Sequence, residues 1–245
     1  MSDPLITVIV PTCDNGVLLN HMVSSFITHT DSADSPYRIL LVNNGSKGGV
    51  TEGLHPSYSV IEADGNKGWE GGLKLGLANT ESPLVMFAND DIHIVPGDVR
   101  WLSKMAETLL KGRDKKVAAV GPMSNFVMGS QNIHSGLDQE VYSTNLLIGF
   151  CLMVRRDALD EVGGVSEGLP GGDDFDLSIR LVKAGWKLAI QGDVYVHHWG
   201  SVTGNRLEGS KWNSKEMIRD VRNAVIRRNG FKSYLGTMHG RPALL

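Results

Sequence analysis

Four short apolar runs in the first half of this chain each break off into polar, turn-forming residues, and that recurrence constrains the fold more than any other feature. Thr7-Val8-Ile9-Val10 runs into Pro11, Ile39-Leu40-Leu41-Val42 into Asn43-Asn44-Gly45-Ser46, Ser59-Val60-Ile61-Glu62 into a glycine-rich turn, and Leu84-Val85-Met86-Phe87 into Asn89-Asp90-Asp91. Such short β-branched and apolar runs read as buried strands. Helical patterns lie between and after them, over residues 17–30, 71–79 and 99–111. Strands alternating with helices build a parallel sheet through right-handed crossovers. The expected fold class is therefore α/β, a single Rossmann-like, mostly parallel sheet flanked by helices. Ligands of open α/β sheets bind beyond the carboxyl ends of the strands, where loops and helix N-termini offer unpaired backbone N–H groups. Four polar strand ends thus imply one shared crevice.

Further along, residues 117–120 and 145–154 read as strands, and 123–145, polar and without period, as loops on the acceptor side. A helix is expected over 174–184, stopped by Gly185, then strands at 186–190 and 194–198 and a mobile loop over 200–210. Residues 215–228 form an amphipathic, Arg-rich helix. A solvated face is the simplest reading of Arg219, Arg222, Arg227 and Arg228, with contact to an anionic membrane or nucleic acid as the alternative. At 245 residues and 41% hydrophobic, the chain suits one large domain. Its net charge of -3 gives no general reason to bind nucleic acid. The run over 5–10 lacks the flanks of a signal peptide, and no apolar run reaches the eighteen or so residues of a membrane span. The expectation is a cytoplasmic protein, peripheral at a membrane if at all. Cys13 and Cys151 form neither a disulfide framework nor a zinc spacing.

Three clusters carry chemistry. Asn89-Asp90-Asp91 follows a strand, and acidic oxygens held there suit Mg2+ or Mn2+, although Asn and Asp also favour plain turns and caps. Asp173, Asp174 and Asp176 follow Pro170-Gly171-Gly172 at a helix start; one carboxylate would cap the helix, and three exceed what a cap requires. One of them, brought close to a ligand by flexible glycines, could act as a general base. His197-His198 at a strand end can complete a metal shell, and strand alternation lets only one of the two face it. The stretch Gly65-Asn66-Lys67-Gly68-Trp69-Glu70-Gly71-Gly72 has neither P-loop nor dinucleotide spacing, and a tight turn before a close-packed helix accounts for it equally well.

In order and spacing, VIVPT with Asp14-Asn15, LVNNGS, GNKGWEGGLKLGL, FANDDI, the run GFCLMV through KAGW, and VHHWGS resemble the family 2 glycosyltransferases over about residues 6–204. That resemblance implies a GT-A fold in one domain, 1–204, with a nucleotide-binding half of about 1–98 and a small acceptor-side, catalytic half of about 99–204. Residues 205–245 are then a loop and helix packed on the same domain. It further implies that Pro11, Thr12, Asp14 and Asn43 hold nucleobase and ribose, and that Asn66, Gly68 and Gly72 lie along the nucleotide. Asn89, Asp90 and Asp91 occupy the DxD-like position, with Asp91 as ligand of a divalent metal, Mn2+ or Mg2+, and His197 as the later metal-associated histidine. Asp174 matches the usual base, while Asp173 stands where the family has glutamate. Asn43 replaces the aspartate that many members turn to the base, leaving uridine, thymidine and guanosine diphosphate donors open, and Lys74 stands where the family often has Asn.

The implied activity is inverting transfer of a hexosyl or deoxyhexosyl group from a nucleoside-diphosphate sugar to a saccharide, lipid-linked or other hydroxyl acceptor. Nucleic acid is not favoured as a partner. A non-catalytic nucleotide-sugar-binding or scaffold protein of the same fold is the competing reading. A sugar-nucleotide pyrophosphorylase fits poorly, because only PTCDNG follows the first strand.

Overall fold

In the computed structural model, residues 4–33, 35–47, 58–112, 116–200, 202, 205–206, 209 and 214–245 are described. The first half runs β1 (Ile6–Thr12), α1 (Gly16–Thr28), β2 (Tyr37–Asn43), β3 (Tyr58–Glu62), α2 (Gly68–Leu77), β4 (Leu84–Ala88), β5 (Ile92–His93) and α3 (Trp101–Leu110). The second half runs β6 (Val117–Met123), β7 (Val141–Thr144), β8 (Cys151–Arg155), α4 (Arg156–Glu161), α5 (Asp173–Lys183), β9 (Lys187–Tyr195) and β10 (His197–His198). Helices α6 (Lys215–Asn229) and α7 (Phe231–His239) and strand β11 (Ala243–Leu244) close the described chain.

Nine strands form one sheet in the order β11-β7-β9-β6-β8-β4-β1-β2-β3. Strands β3, β2, β1 and β4 are parallel, as are β6 and β9. Strand β8 lies antiparallel between β4 and β6, with Cys151 opposite Ala88. That reversal matters for the site. It puts the start of β8, rather than its end, at the sheet edge where β1, β2 and β4 finish.

Side chains alternate across the central strands and so bury two apolar layers. Val8 and Val10 face α1 and α3, where Phe26 meets Trp101 edge-on at 5.2 Å. Ile9 and Phe87 face the other layer, built from α2, α4 and α5 with Leu73, Leu159 and Leu177. Helix α2 lies so close to β1 that a Cβ on Gly76 would sit 2.3 Å from Ile9 Cγ2, and one on Gly72 2.8 Å from Pro11 Cβ. Gly72 and Gly76 of GNKGWEGGLKLGL therefore serve helix-on-sheet packing.

Several expected boundaries shift. The long strand expected over 145–154 begins only at Cys151, because residues before it bond sideways: Leu147 N donates to Ser178 Oγ (3.2 Å) and Ile148 N to Gln131 Oε1 (2.7 Å). The expected loop 123–145 contains a 3-10 turn, Gly129–Gln131, and strand β7, whose partner β9 is remote in sequence. The two strands expected over 186–198 are β9 and the two-residue β10, and the pairing of β9 with β6 shifts register between Pro122 and Met123. Beyond α6, Gly230 at φ +89° turns the chain into a further helix, α7, that the sequence pattern did not suggest. The expected loop over 200–210, with Ser201, lies mostly outside the described residues. No helix among the described residues is long and apolar enough to cross a membrane.

Candidate active site

Strand ends β1, β2 and β4 are tied together by their own polar residues. Thr12 Oγ1 donates to Asp90 Oδ2 (2.7 Å) and Asn15 Nδ2 to Asp90 Oδ1 (2.9 Å). Burial pushes the Asp90 carboxyl up to about 6, against the hydrogen bonds from Thr12 and Asn15 that favour its ionised form. With both oxygens engaged and only 5% of the residue exposed, Asp90 braces the β1 loop. Pro11 and Gly72 likewise pack on each other. Asp14 has the left-handed φ of 50°; its N–H donates to Ser46 Oγ (2.9 Å), Lys47 N donates to its Oδ1 (2.6 Å), and Arg206 donates to the carbonyls of Cys13 and Asp14.

At the end of β2, Asn43 donates to Glu62 Oε2 (2.7 Å) and accepts from Ser46 N (3.2 Å). Its neighbour Asn44, not singled out from sequence, is buried and fastens the glycine-rich stretch: Nδ2 donates to Gly68 O (2.8 Å) and Oδ1 accepts from Lys67 N (2.9 Å). Asn66 Oδ1 accepts from Gly68 N (2.8 Å), and Gly68 takes φ +72°. The signal for Asn44 lay in the paired asparagines: successive residues at a strand end face opposite ways, so one turns inward.

Asp91 and His198 form the second part of the site. His198 Nδ1 is 2.8 Å from Phe126 O, and a carbonyl only accepts, so Nδ1 carries a proton. Nε2 lies 3.2 Å from Asn89 Nδ2 and 3.2 Å from Asp91 Oδ1. Asp91 Oδ1 is buried without a hydrogen-bond donor. A bare ring nitrogen and a carboxylate oxygen facing each other repel unless a proton or cation lies between them. An oxygen and a nitrogen donor, with Nδ1 fixed by a carbonyl, suit a divalent cation whose other positions come from phosphate and water oxygens. Among the described residues no three His, Cys, Asp or Glu side chains are arranged to hold a metal ion by themselves, so this pair is the candidate for the protein's share of such a shell.

The histidine expected for this role was His197, whereas the one that lies beside Asp91 is His198. Strand β10 pairs antiparallel with β5, setting His198 opposite Ile92 and His197 opposite His93. Adjacent side chains leave a strand on opposite faces. His198 therefore packs between Phe150, stacked at 5.1 Å, and Phe126, while His197 turns to Tyr195 Oη (Nδ1 at 3.2 Å) and the edge of Trp199.

The third part is the start of α5, capped by Gly172 at φ +77°. Asp174 accepts from Phe175 N at Oδ1 (2.8 Å) and from Gly149 N at Oδ2 (3.3 Å). Asp173 and Asp174 border a small pocket with Trp69, Phe87, Leu152 and Leu177. Burial, then the charges of Asp174 and Glu70, push Asp173 up to about 8, and burial raises Asp174 as well. Like charges this close oppose double ionisation. Glu70, a third carboxyl given no role from sequence, is raised by burial and keeps a buried Oε1 without a partner. Asp176 belongs elsewhere. Burial alone would raise it, but hydrogen bonds from Ser166 (2.6 Å), Asn229 (2.7 Å) and Arg180 (2.8 Å) outweigh that and hold it below the usual carboxylate range, tying α5 to α6.

Residues 149–150 join the second and third parts. Gly149 N holds Asp174, Phe150 O accepts from Asn89 N (2.9 Å), and the Phe150 ring stacks on His198.

The raised acid pair has a consequence for stability. An unfolded Asp loses its proton near 3.9, whereas folded Asp173 keeps its own to about 8. Between those values the folded state binds the extra proton, so stability is full below the lower value and falls as pH rises through the upper one. Asp173→Asn should therefore melt higher than the parent at pH 8 and lose that advantage near pH 4, by about 2–4 °C per kcal/mol in a chain of this size. Thermal scans in metal-free buffer test this, and parallel curves for the two proteins would contradict it.

The family model described as glycosyl transferase family 2 matches residues 7–163. Pre-mycofactocin glycosyltransferase of Mycobacterium tuberculosis is 26% identical over 212 residues, 79% of this chain; the chain spans 42% of that relative's length. N-acetylglucosaminyl-diphospho-decaprenol L-rhamnosyltransferase of the same organism is 24% identical over 249 residues, covering 83% of this chain and 79% of the relative. Among solved structures, the mannosyltransferase PcManGT from Pyrobaculum calidifontis, in complex with GDP-Man and Mn2+, superposes with a TM-score of 0.69 at 18% identity, over 93% of this chain and 65% of its own. GalNAc-T7 with UDP, GalNAc and Mn2+ gives 0.64 at 14% identity, over 80% and 44%. The likeness to these structures establishes the GT-A fold.

Proposed function

The chain belongs to glycosyl transferase family 2, and from that premise we propose that it transfers a sugar from a nucleoside-diphosphate sugar to an acceptor hydroxyl, with inversion and with Asp174 as the general base. The observation that carries this reading is the joint between two acidic centres: the Asp91–His198 pair and the Asp174 carboxylate are held by one two-residue segment, Gly149-Phe150.

In a single displacement, Asp174 takes the proton of the acceptor hydroxyl as its oxygen bonds to the anomeric carbon. The bond from that carbon to the diphosphate breaks, and the electron pair leaves with the diphosphate. A raised carboxyl pKa brings the base nearer the working pH, where general-base catalysis is most effective. Asp173 and Glu70, beside it, favour keeping one proton within the cluster at neutral pH. Asp91 and His198 would hold a divalent cation, Mn2+ or Mg2+, which supplies positive charge against the departing diphosphate. Asn43, Asn66 and Gly68 border the nucleotide's side of the crevice, and Asp14 with Asn44 holds their loops in place. The rhamnosyltransferase relative is named for a decaprenol-linked sugar and for rhamnosyl transfer. By that likeness, a lipid-linked saccharide is a reasonable acceptor here, and a hexosyl or deoxyhexosyl group the transferred sugar.

Calorimetric and thermal-shift titrations against UDP, GDP, dTDP and CDP, each with and without Mn2+, test the reading. A ligand that binds only the folded state stabilises it in proportion to RT ln(1 + [L]/Kd), about 2.7 kcal/mol at a hundredfold excess over Kd. One diphosphate should do so, and only with the metal present. Silence towards all four would leave a non-catalytic protein of the same fold.

A further inference from the structure

The acceptor side of the molecule ends in a surface whose composition differs from the rest. From Val221 to Leu245 the chain carries five of its 24 Lys and Arg and none of its 27 Asp and Glu, although its net charge is -3. Helix α7 lies in this segment and presents an apolar stripe to solvent: Phe231, Leu235 and Met238 are 59, 37 and 38% exposed. Their spacing of four and three residues sets them on one helix face. The rest of α7 is anchored: Thr237 is buried, Tyr234 at the stripe's border stacks on Phe175 at 6.1 Å, and Gly236 O accepts from Asn145 Nδ2 (3.1 Å).

Exposed cations lie in the same segment: Lys232 in α7, Arg241 just after it, and Arg222 and Arg227 on α6, which packs against α7. Among the described residues no carboxylate pairs with any of these four, whereas Arg228 is drawn inward to Glu167 O (2.9 Å).

We propose that α7, with the basic residues around it, docks on the surface of an anionic lipid bilayer. Apolar side chains inserted below the headgroups, with Lys and Arg level with the phosphates, are the chemistry of an interfacial helix. A nucleic-acid backbone would match the cations but offer nothing to Phe231, Leu235 and Met238. A second copy would match the apolar stripe but bring its own cations against these, with no acid in the segment to compensate. The surface also adjoins the proposed base, since Phe175 follows Asp174 directly and Val221 and Val225 of α6 lie within about 3 Å of where a Cβ on Gly172 would sit. Docking would turn the acid pair towards the membrane plane, within reach of a headgroup-linked hydroxyl. That consequence rests on the proposed function; the docking itself does not.

Vesicle co-sedimentation of the full chain, without nucleotide or metal, tests it. Vesicles of phosphatidylcholine mixed with phosphatidylglycerol should bind the protein, and pure phosphatidylcholine should bind it far less. Binding should weaken as salt shortens the Debye length from about 10 Å to about 3 Å. Lys232→Gln with Arg241→Gln should cost about 25-fold in partitioning, at about fivefold for each cation near the surface. Phe231→Glu with Leu235→Glu should abolish binding; both positions are exposed, and unchanged melting and diphosphate titrations would show that fold and nucleotide site persist. The proposal is overturned if anionic vesicles fail to bind the protein, if both double variants bind like the parent, or if only duplex nucleic acid or a second copy of the chain proves to bind this surface. Loss of diphosphate binding with intact vesicle binding would count against the proposed function alone.

Discussion

Asp174→Asn lowers the rate of sugar transfer by about 10²–10⁴-fold, the usual worth of a positioned general base, while the Kd for the nucleoside diphosphate stays within about twofold, a change of about 0.4 kcal/mol. The separation follows from where the side chain sits. Its two oxygens accept from the Gly149 and Phe175 N–H groups, and among the described residues it makes no hydrogen bond to Asp91, His198 or the β2 loop. Asparagine keeps the shape, one acceptor oxygen and the helix start, so the scaffold survives. Single-turnover rates on the purified variant, beside calorimetric diphosphate titrations, measure both quantities. Normal turnover would move the base to Asp173, in the same pocket, or to Glu70, whose charge acts on Asp173. An equal loss of diphosphate binding would mean that Asp174 serves the nucleotide site instead.

Asp91→Ala and His198→Ala should each remove the Mn2+-dependent part of diphosphate binding. The expected loss is about 100-fold or more, since even the outer partners of metal ligands are worth about 10–100-fold. His197→Ala, one residue away, should retain that dependence, because its ring contacts Tyr195 and Trp199 rather than Asp91. The contrast between adjacent histidines is the sharp part of the test. A structural role for His198 would show as a lowered melting temperature with the Mn2+ response intact, and equal behaviour of the two histidine variants would refute the assignment. Diphosphate titrations with and without Mn2+ read all three proteins on one scale.

Much of this was legible in the chain before folding. The runs at 7–10, 39–42, 59–62 and 84–87 did become parallel strands, and each ends in polar residues at one crevice. Buried strands declare themselves through unbroken apolar runs, and helix starts through Gly and Asp, because these preferences are local. The acids Asp91, Asp173 and Asp174 were found by the same local logic, each lying at the end of an element. The roles of their neighbours were not legible. Asp90 and Asp176 look like Asp91 and Asp174 in sequence, yet Thr12 and Asn15 engage the first, and Ser166, Arg180 and Asn229 the second.

Which of two adjacent histidines meets Asp91, which of two adjacent asparagines holds the glycine-rich loop, and how Gly149-Phe150 joins the two acidic centres were decided by pairings between residues far apart in the chain. The β10–β5 pairing spans more than a hundred positions, from Ile92 to His198. A strand presents its two faces equally until a partner fixes its register. Local composition and spacing thus account for most of the strands and helices, though not for β7 or α7, and for the crevice and the residue types that could do chemistry there. Which of those residues face one another was settled only in the folded chain, because side-chain direction at a strand end depends on contacts that no local pattern encodes.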